Sequence, residues 1–569
     1  MEYLKLAEVY EKLESKSGKL EKTHIVSKIL VEAPKELLSK IVLLINGRVF
    51  PSWSEEELGV ANQLMIKAIS KSYGISENDV VKNFKKTGDL GITVEELSTK
   101  RKQITLGRKN LTIDKVFENI QLISKQVGSR SQERKLNLIT ELLIQAKSKE
   151  AKYIVRTILG ELRIGVAEGI VRDAIAESFN IPPEDVENAW FLNPDYGEIA
   201  QIAKEKGVEG LKKVKIDLGK PIMVLLAEKA PSLEDAIKSF DKVALEYKYD
   251  GARFLVHKKD EKIWIFTRRL ENVTKAFPEV AELCRKNLKA RECIVDGECV
   301  AINPKNKRPV PFQMLSQRIK RKYDIEKIIK EIPVELNLFD IIYLEGKALF
   351  DQTLEKRREI LKNIVKTVPG KIQLAKQLIT SNIKEADTFY KEALKAGHEG
   401  LIVKNLEAKY QSGRRVAGGW LKVKPVMESL DLVITGATWG TGKRAGFLGS
   451  YILSCRDPDT GKFLECGMLG TGVKEKKTNV EDVTLQDMTK LLKPNIEFEK
   501  GNEVKIKPKI VIEVAYEEIQ KSPTYSSGYA LRFPRFIRIR IDKGADETDT
   551  TQRIATLFEV QKGKKPLKD

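Results

Sequence analysis

The hydrophobic periodicity of this chain changes twice along its length, and that change limits the folds that the chain can adopt. Up to about residue 215, apolar residues recur at intervals of three and four, as in Leu136, Ile139 and Leu143, which is typical of amphipathic helices. The helical pattern breaks in a basic, glycine-containing stretch over residues 207–221, which is a candidate linker. We therefore predict an all-helical domain over residues 1–215.

Beyond the candidate linker, strand patterns enter and then become dominant. Between residues 216 and 425, β-rich runs such as 262–267 alternate with helical patterns such as 354–365, which predicts an α+β domain. Between residues 426 and 569, helical patterns are scarce, and short strands separated by turn residues predict a small β-barrel. Three domains also agree with the length, since 569 residues exceed what one hydrophobic core normally serves.

The charge balance favours a polyanionic partner. Lys and Arg number 101 against 81 Asp and Glu, and the net charge of +20 is larger than solubility requires. An ion-pair-rich surface of the thermophile kind would also explain the 32% of charged residues, and the two interpretations are compatible. The five cysteines include no C-x-x-C pair, which argues against a zinc ribbon. The sequence shows neither a signal-peptide core nor a bilayer-length apolar run, so we expect a cytoplasmic chain without a membrane partner.

One short segment, Glu246-Tyr-Lys-Tyr-Asp-Gly-Ala-Arg253, has the residue types of a nucleophile site. If residues 246–250 form a strand, the two-residue period places Glu246, Lys248 and Asp250 on one face. A lysine between two carboxylates can also be an ordinary row of paired charges on the protein surface. This segment alone therefore does not establish a nucleophile site. Further candidate pocket residues follow it in chain order: Arg268, Glu298, Phe339, Glu399, Lys404, Lys422 and Lys424.

In this order, the motifs resemble those of the ATP-dependent DNA ligases, specifically the archaeal type, and the resemblance spans the whole chain. It implies that Lys248 takes AMP from ATP and passes it to the 5′-phosphate of a nick in duplex DNA, where the 3′-hydroxyl displaces it. Such an enzyme serves DNA replication, repair and recombination. The resemblance also implies a nucleotide pocket built from Glu246, Arg253, Arg268, Glu298, Phe339, Arg414, Lys422 and Lys424.

One of these positions departs from the family pattern. The family has an arginine about six residues before the first lysine of the Trp-Leu-Lys motif. Here Arg414 and Arg415 lie eight and seven residues before Lys422, and we choose Arg414 as the nucleotide contact.

The chemistry of the expected reaction explains the residue types. An unperturbed lysine has a pKa of about 10.4 and is neutral at pH 7 in only about one molecule in 2,500, so an amine nucleophile needs cations nearby. Attack on the α-phosphorus expels pyrophosphate, and the developing charge calls for Mg²⁺, or Mn²⁺ in its place. The resemblance implies that Glu298 holds the ribose hydroxyl of the nucleotide. Glu298 and Glu399 are also candidate metal ligands, with a plain surface carboxylate as the alternative for each. Phe339 can stack on adenine, although an aromatic residue in a strand is more often part of the core.

Two basic motifs outside the pocket predict contacts with nucleic acid and nucleotide. Arg156, Arg163 and Gly165 combine basic side chains with a glycine that lets a phosphate approach the backbone, and the segment resembles the ligase DNA-binding domain. Near the end of the chain, basic residues alternate along a predicted strand. This strand resembles the last ligase motif, with which an oligonucleotide-binding (OB-fold) barrel closes over the nucleotide and engages pyrophosphate; its candidates are Arg532, Arg535 and Arg538.

A sliding clamp is a secondary partner hypothesis. Residues 102–107 lie where archaeal relatives carry a clamp-binding peptide, but the aromatic pair of that peptide is absent. The main partner expected from the resemblance is nicked duplex DNA, bound by a monomer.

Four alternatives share features of the pocket. An RNA ligase or an mRNA guanylyltransferase would lack the large helical domain before Lys248, and an NAD-dependent DNA ligase usually carries a four-cysteine zinc site that is missing here. A nucleic-acid scaffold with a decayed nucleotide site is the non-enzymatic alternative. The retention of Lys248, Arg253 and Glu298 argues against it.

Overall fold

Helices make up the first third of the structure, a computed structural model that describes residues 1–99, 110–310, 312–319, 324–413, 419–425, 427–440, 444, 446–477, 479 and 482–561. The helices of this helical region, α1–α12, are Tyr3–Ser15, Lys19–Glu32, Lys35–Ile45, Asn62–Tyr73, Glu77–Thr87, Leu90–Ser98, Ile113–Ser124, Ser131–Gln145, Ser148–Ile158, Glu168–Phe179, Pro183–Leu192 and Tyr196–Lys212. Their apolar faces meet in one core, in which Tyr3, Leu38 and Ile154 are fully buried. The prediction of an all-helical first part is confirmed.

The stretch predicted as a linker is partly helical. α12 continues to Lys212 and kinks at Gly207, whose φ of 56° lies in the left-handed region. The sequence pattern breaks at this glycine because the kink shifts the apolar spacing, while the helix itself resumes for another turn. The irregular connection to the next region therefore begins after Lys213.

The middle region mixes helices with two sheets, as the α+β prediction requires. Its helices, α13–α18, are Leu233–Lys238, Pro278–Asn287, Phe312–Ile319, Ile325–Glu331, Leu354–Ile364 and Ile383–Lys395. Its strands, β1–β11, are Glu228–Lys229, Val243–Tyr247, Ala252–Lys259, Lys262–Thr267, Glu292–Ala301, Val334–Leu344, Lys347–Ala348, Ile372–Leu374, Gln377–Ile379, Leu401–Asn405 and Trp420–Val423. One sheet has the order β1-β11-β10-β2-β9, and the other has β4-β3-β5-β6-β7 with β8 beside β6.

The two sheets of the middle region share a hydrophobic core. Leu255, Phe266 and Phe339 from the second sheet pack in one cluster with Trp420 from the first sheet. Aromatic and β-branched residues favour such half-buried strands, and here they bring the two sheets into contact along one side of each. The candidate pocket residues lie at this junction.

In its described residues, the C-terminal region has a seven-stranded antiparallel sheet, a separate two-stranded antiparallel sheet formed by β18 and β19, and two α-helices. The strands, β12–β20, are Leu430–Trp439, Leu448–Arg456, Phe463–Leu469, Ile496–Lys500, Glu503–Ile506, Val511–Ala515, Glu518–Lys521, Tyr529–Arg532 and Arg535–Ile539, and the helices, α19 and α20, are Leu485–Leu492 and Thr551–Val560. β12 pairs with β13, β16 and β17, β17 also pairs with β20, and β18 pairs with β19. Within the described residues these pairings do not close a barrel, so the β-rich prediction is confirmed at the level of an antiparallel sheet.

No helix within the described ranges combines the length and apolar character that crossing a bilayer would require.

Candidate active site

The candidate nucleophile follows directly after a buried strand. β2 ends at Tyr247, and the backbone of Lys248 then exchanges hydrogen bonds of 2.9 Å with Gly400 and Glu399, next to β10. The chain turns at Gly251, where a Cβ atom would lie 2.3 Å from the carbonyl oxygen of Cys299. Only glycine allows the chain to leave the strand so close to its neighbour.

The sequence analysis considered a strand over residues 246–250, but the strand ends at Tyr247. Glu246, Lys248 and Asp250 therefore do not share one strand face. Glu246 lies inside the strand, pairs with Lys404 and is 2% exposed. Asp250 accepts a hydrogen bond of 3.2 Å from the backbone N–H of Phe312. Strand alternation therefore stops before Lys248, because the chain begins to turn toward Gly251.

A cavity of about 1310 Å³ brings the candidate residues together. Its lining includes Glu246, Lys248, Arg253, Arg268, Glu298, Phe339, Glu399, Lys404, Trp420, Lys422, Lys424 and Arg532. These residues are separated by up to 286 positions in the chain. The sequence analysis identified them one after another along the chain and did not show that they lie close together. Arg414 and Arg415 lie outside the described residues.

Lys248 and Lys424 share one carboxylate. The Nζ atom of Lys248 lies 2.5 Å from Oε2 of Glu399, and Nζ of Lys424 lies 2.7 Å from the same oxygen. Burial raises the pKa of Glu399, but the charges and hydrogen bonds of the two lysines outweigh it and lower the pKa to about 2. Glu399 is therefore a carboxylate throughout the physiological pH range and fixes both amines at the cavity wall.

Arg253 is held by a buried partner that the sequence analysis missed. Its Nε and Nη2 atoms donate to Asp296 over 2.9 and 2.5 Å, its Nη1 donates to the carbonyl of Leu225 over 2.6 Å, and Asp296 is fully buried. Asp296 is two residues before Glu298 on β5, so strand alternation could have placed the two carboxylates on one face. The bidentate contact fixes the guanidinium plane beside Phe339 and Trp420.

Lys404 occupies an aromatic corner of the cavity. Its Nζ atom lies 4.3 Å from the ring centre of Phe339, 4.1 Å from that of Trp420 and 2.5 Å from Oε2 of Glu246. Lys404 is 1% exposed, and its burial lowers its pKa against the opposing charge of Glu246. Phe339 is 8% exposed and lines the cavity, so it belongs to the core, and its contact with adenine stays a prediction.

Two carboxyl groups have raised pKa values: Glu298 on the cavity wall, and Asp250, which follows the lining residue Tyr249 in the chain. Burial raises the pKa of Glu298 to about 8, against the opposing charges of Lys248 and Arg253. Burial, then the neighbouring Glu399 and Glu518, raise the pKa of Asp250 to about 6. Burial therefore favours the protonated form of Glu298, and a positive ligand beside it would favour the carboxylate.

The two carboxylates proposed for metal binding fit Mg²⁺ as partial ligands. No cluster of three or more His, Cys, Asp or Glu suited to a metal ion occurs in the described part of the chain. Mg²⁺, however, is normally bound by one or two carboxylates together with water and substrate phosphates. Glu298 and Glu399 line the same cavity, and the raised pKa of Glu298 indicates a carboxyl group without full charge compensation.

Residues from both flanking regions complete the cavity. Ser52, Ser54 and Glu55 of the helical region line it, and Glu55 lies 2.6 Å from Nζ of Lys275. From the C-terminal region, Arg532 also lines the cavity, and Glu517 lies 3.7 Å from Nζ of Lys424. The sequence analysis predicted Arg532 but missed the serine and glutamate residues, since an acidic surface loop carries no motif.

The three arginines predicted to engage pyrophosphate as the barrel closes, Arg532, Arg535 and Arg538, differ in position. Arg532 lies in the cavity and donates to Glu518 over 3.2 Å. Arg535 is exposed, and Arg538 is 63% exposed and donates to Glu513 over 2.6 Å. Arg535 and Arg538 do not appear among the described residues that line the cavity, so the structure places one of the three arginines there.

The predicted DNA-binding residues lie in the helical region, and one of them is buried. Arg156 is 3% exposed and donates to Glu14 and Asp89. Arg163 is 43% exposed and lies 3.1 Å from Asp89, and Gly165 is exposed. The burial of Arg156 favours a supporting contact beneath the surface over the phosphate contact that the sequence predicted, whereas Arg163 and Gly165 are accessible.

The cavity combines a lysine at the end of a strand with arginine, lysine and carboxylate side chains, and three regions of the chain line it. This arrangement fits the class of nucleotidyltransferases that carry the nucleotide on a lysine. Comparison with known families agrees region by region: residues 2–176 match "DNA ligase N terminus", residues 224–424 match "ATP dependent DNA ligase domain", and residues 444–543 match "ATP dependent DNA ligase C terminal region". The chain belongs to the ATP-dependent DNA ligase family.

Similar proteins cover the full length. A protein named "DNA ligase" from Nanoarchaeum equitans is 47% identical over 564 residues, which are 99% of each chain. Another from Thermococcus onnurineus is 46% identical over 562 residues, or 99% of this chain and 98% of the relative. The solved structure titled "Pmar-Lig_PreS3" has a TM-score of 0.57 at 18% identity, covering 94% of this chain and 99% of its own, and this likeness concerns the fold alone.

Proposed function

We propose that this ligase seals nicks in duplex DNA with Lys248 as the residue that carries AMP. The observation that supports the role of Lys248 is its position at the end of β2, in a cavity shared with Arg253, Glu399 and Lys424. Lys248 attacks the α-phosphorus of ATP and pyrophosphate leaves. The AMP then moves to the 5′-phosphate of the nick, and the 3′-hydroxyl displaces it as the phosphodiester bond forms.

We assign the nucleotide contacts by the position of each side chain in the cavity. Phe339 offers an aromatic face for adenine, and Arg253 is fixed beside it by Asp296. Glu246 holds Lys404 against the same ring. The remaining positive groups that we assign to the phosphates are Arg268, Lys422, Lys424 and, outside the described residues, Arg414.

Mg²⁺ would be held by Glu298 and Glu399, with Mn²⁺ as a substitute, and when bound it would offset the charge that develops on the phosphate oxygens. Glu399 must then exchange its contacts with Lys248 for the metal, which leaves the amine of Lys248 free to turn toward the nucleotide. Glu298 must lose its proton, so metal binding at neutral pH should release protons.

The flanking regions would close around the DNA. We divide the chain into a DNA-binding domain at 1–215, an adenylation domain at 216–425 and an OB-fold domain at 426–569. Arg163 and Gly165 would contact duplex phosphates, while Arg156 supports Arg163 through their shared partner Asp89. Arg532, Arg535 and Arg538 would engage pyrophosphate or DNA as the OB-fold domain moves.

We propose a monomer that acts at chromosomal DNA in the cytoplasm, because its substrate is nicked duplex DNA. Clamp binding through residues 102–107, which lie outside the described residues, stays a secondary hypothesis. Retention of the chain on its cognate clamp at low salt would support it, and loss of retention would remove it.

Incubation with α-labelled ATP and Mg²⁺ tests the central proposal. The intact protein should acquire a labelled, acid-labile AMP adduct that disappears on addition of nicked duplex as the strands are joined. Lys248→Ala should acquire no label, whereas Lys262→Ala, an exposed lysine at the start of β4, should label like the parent protein. An adduct that survives Lys248→Ala would contradict the assignment.

A further inference from the structure

In the loop that joins α9 to α10, buried residues alternate with exposed residues. Leu162 and Ile164 are 8% and 3% exposed, while Arg163 and Gly165 between and after them are exposed. Arg163 has a φ of 57° and Gly165 a φ of 66°, so two residues of this short loop adopt left-handed backbone conformations. A non-glycine residue in that region needs support from its surroundings.

A buried lysine of another helix provides support from inside. Lys22 of α2 is 2% exposed, and its Nζ atom donates to the carbonyl oxygens of Ile164 over 2.5 Å and Gly165 over 3.1 Å. A Cβ atom on Gly165 would lie 2.5 Å from this Nζ, so the glycine also makes room for the ammonium group. Placing an ammonium group away from water is costly, and donation to carbonyl oxygens offsets part of that cost.

This contact determines which way the backbone amides point. In a trans peptide, the C=O and the following N–H point in opposite directions. Because the carbonyls of Ile164 and Gly165 point inward to Lys22, the N–H groups of Gly165 and Val166 point away from it. Across the described residues, no hydrogen bond uses the N–H of Gly165, Val166 or Ala167 as its donor.

These amides lead into the first turn of α10, whose N-cap residue Ala167 makes no side-chain cap. Free N–H groups at the start of a helix attract anions, and the exposed guanidinium of Arg163 lies in the same loop. The loop therefore presents donors outward while the charge of Lys22 lies directly behind them.

We propose that Lys22 is a positioning residue for DNA binding: it holds the Arg163–Gly165 loop so that its amides and its arginine face the phosphates of the nicked duplex. This inference rests on the proposed role of Arg163 and Gly165 in DNA binding. Lys22 itself contacts no DNA, and it acts through the two carbonyls.

The test compares nicked-duplex affinity with lysyl-AMP formation in the full chain. Lys22→Met should raise the Kd and KM for nicked duplex about tenfold, roughly what the loss of a good phosphate contact costs. The kcat at saturating DNA and the rate of labelling by ATP should stay within about twofold, because the AMP site is in another region. Lys22→Arg, which can still donate to both carbonyls, should restore affinity to within about threefold.

A matched control is Lys204, which also donates to two carbonyls of the helical region, those of Ala33 over 2.6 Å and Val31 over 3.4 Å. Lys204→Met should lose stability without a change in DNA affinity. If Lys22→Met does not fold, Lys22→Gln carries the same comparison, since its uncharged side chain is polar but one bond too short to reach both carbonyls as Lys22 does. Equal loss of affinity in the Lys22 and Lys204 variants would overturn the inference.

Arg163→Ala separates this inference from the function on which it rests. If Arg163→Ala weakens nicked-duplex binding and a folded Lys22 variant does not, the positioning role of Lys22 is wrong and the role of the loop stands. If Arg163→Ala leaves both the affinity and its salt dependence unchanged, the proposed DNA-binding role of the loop itself is wrong.

Discussion

Replacing Asp296 by asparagine should damage the nucleotide step through a residue that we do not expect to touch the nucleotide. Asp296 is fully buried and accepts two hydrogen bonds from Arg253, over 2.9 and 2.5 Å. The asparagine side chain has the same shape, but it retains one acceptor oxygen and no charge. Arg253 would then keep its hydrogen bond to the carbonyl of Leu225 but lose the paired hydrogen bonds to Asp296 that fix its guanidinium plane.

The size of the effect follows from the burial of the pair. Removing one partner of a buried ion pair costs roughly 3 to 5 kcal/mol, because the other charge is left uncompensated. Since asparagine keeps one of the two acceptors, we expect about half of that, about 2 kcal/mol, as lost stability. If the same amount is lost from the transition state for lysyl-AMP formation, the second-order rate constant falls about 30-fold.

Single-turnover labelling with α-labelled ATP measures this rate constant directly. A control comes from the same region: Asp340 accepts two hydrogen bonds from Arg357, over 2.8 and 2.9 Å, and both residues are 0% exposed. Asp340→Asn should cost similar stability, but neither Asp340 nor Arg357 is among the described residues that line the cavity. The reasoning is refuted if both variants, folded at the assay temperature, label equally slowly, or if Asp296→Asn labels at the parent rate.

Three further outcomes are expected. Glu399→Gln should raise the Mg²⁺ concentration for half-maximal labelling at least about tenfold, and an unchanged titration would exclude Glu399 as a ligand. Burial raises the pKa of Glu14, but hydrogen bonds from Arg156 and Lys152 outweigh this effect and lower the pKa to about 2. The contribution of Glu14 to the stability of the fold is therefore complete above pH 4.5 and is lost as the pH falls toward 2. The parent unfolding temperature should therefore fall more steeply across that range than that of Glu14→Gln, which starts roughly 1 to 2 kcal/mol less stable at pH 7, and parallel curves would contradict this. Glu55→Gln, at an exposed ion pair, should change the unfolding free energy by less than about 1 kcal/mol, as denaturant titration can show.

Local structure was predictable wherever the apolar pattern was unbroken. The predicted strand at 262–267 has the same bounds in the structure, because alternating residues continue to a clear turn at each end. The strand predicted over 246–250 stops at Tyr247 instead. Its end is set by the close approach of Gly251 to Cys299, a contact between segments 48 residues apart that periodicity cannot reveal.

The site was predictable in its motifs and not in its supporting contacts. The chain order of the motifs and their resemblance to the ATP-dependent DNA ligases indicated Lys248, Glu298 and Glu399, and the structure places all three at one cavity. Burial was harder to infer: Arg156 belongs to a basic, glycine-rich stretch like Arg163, yet it lies beneath the surface between Glu14 and Asp89. A basic residue in such a stretch is exposed or buried according to carboxylates contributed by distant helices, which the local sequence does not contain.

The paired charges of the cavity link the proposed nucleotide site to the proposed Mg²⁺ site. Before ATP binds, Lys248 and Lys424 hold Glu399, and Arg253 holds Asp296. A phosphate group can recruit the two lysines only if Glu399 receives another cation, because a carboxylate left alone in a partly buried site is costly. Mg²⁺ can supply that charge at Glu399, whereas Arg253 can stay with Asp296, since its task is to present a fixed surface. Of these two carboxylates, Glu399 on the cavity wall must exchange partners in the proposed reaction, whereas Asp296, the partner of Arg253, must not. Substitution of each should therefore affect a different measurement: the Mg²⁺ requirement for Glu399, and the rate constant at saturating Mg²⁺ for Asp296.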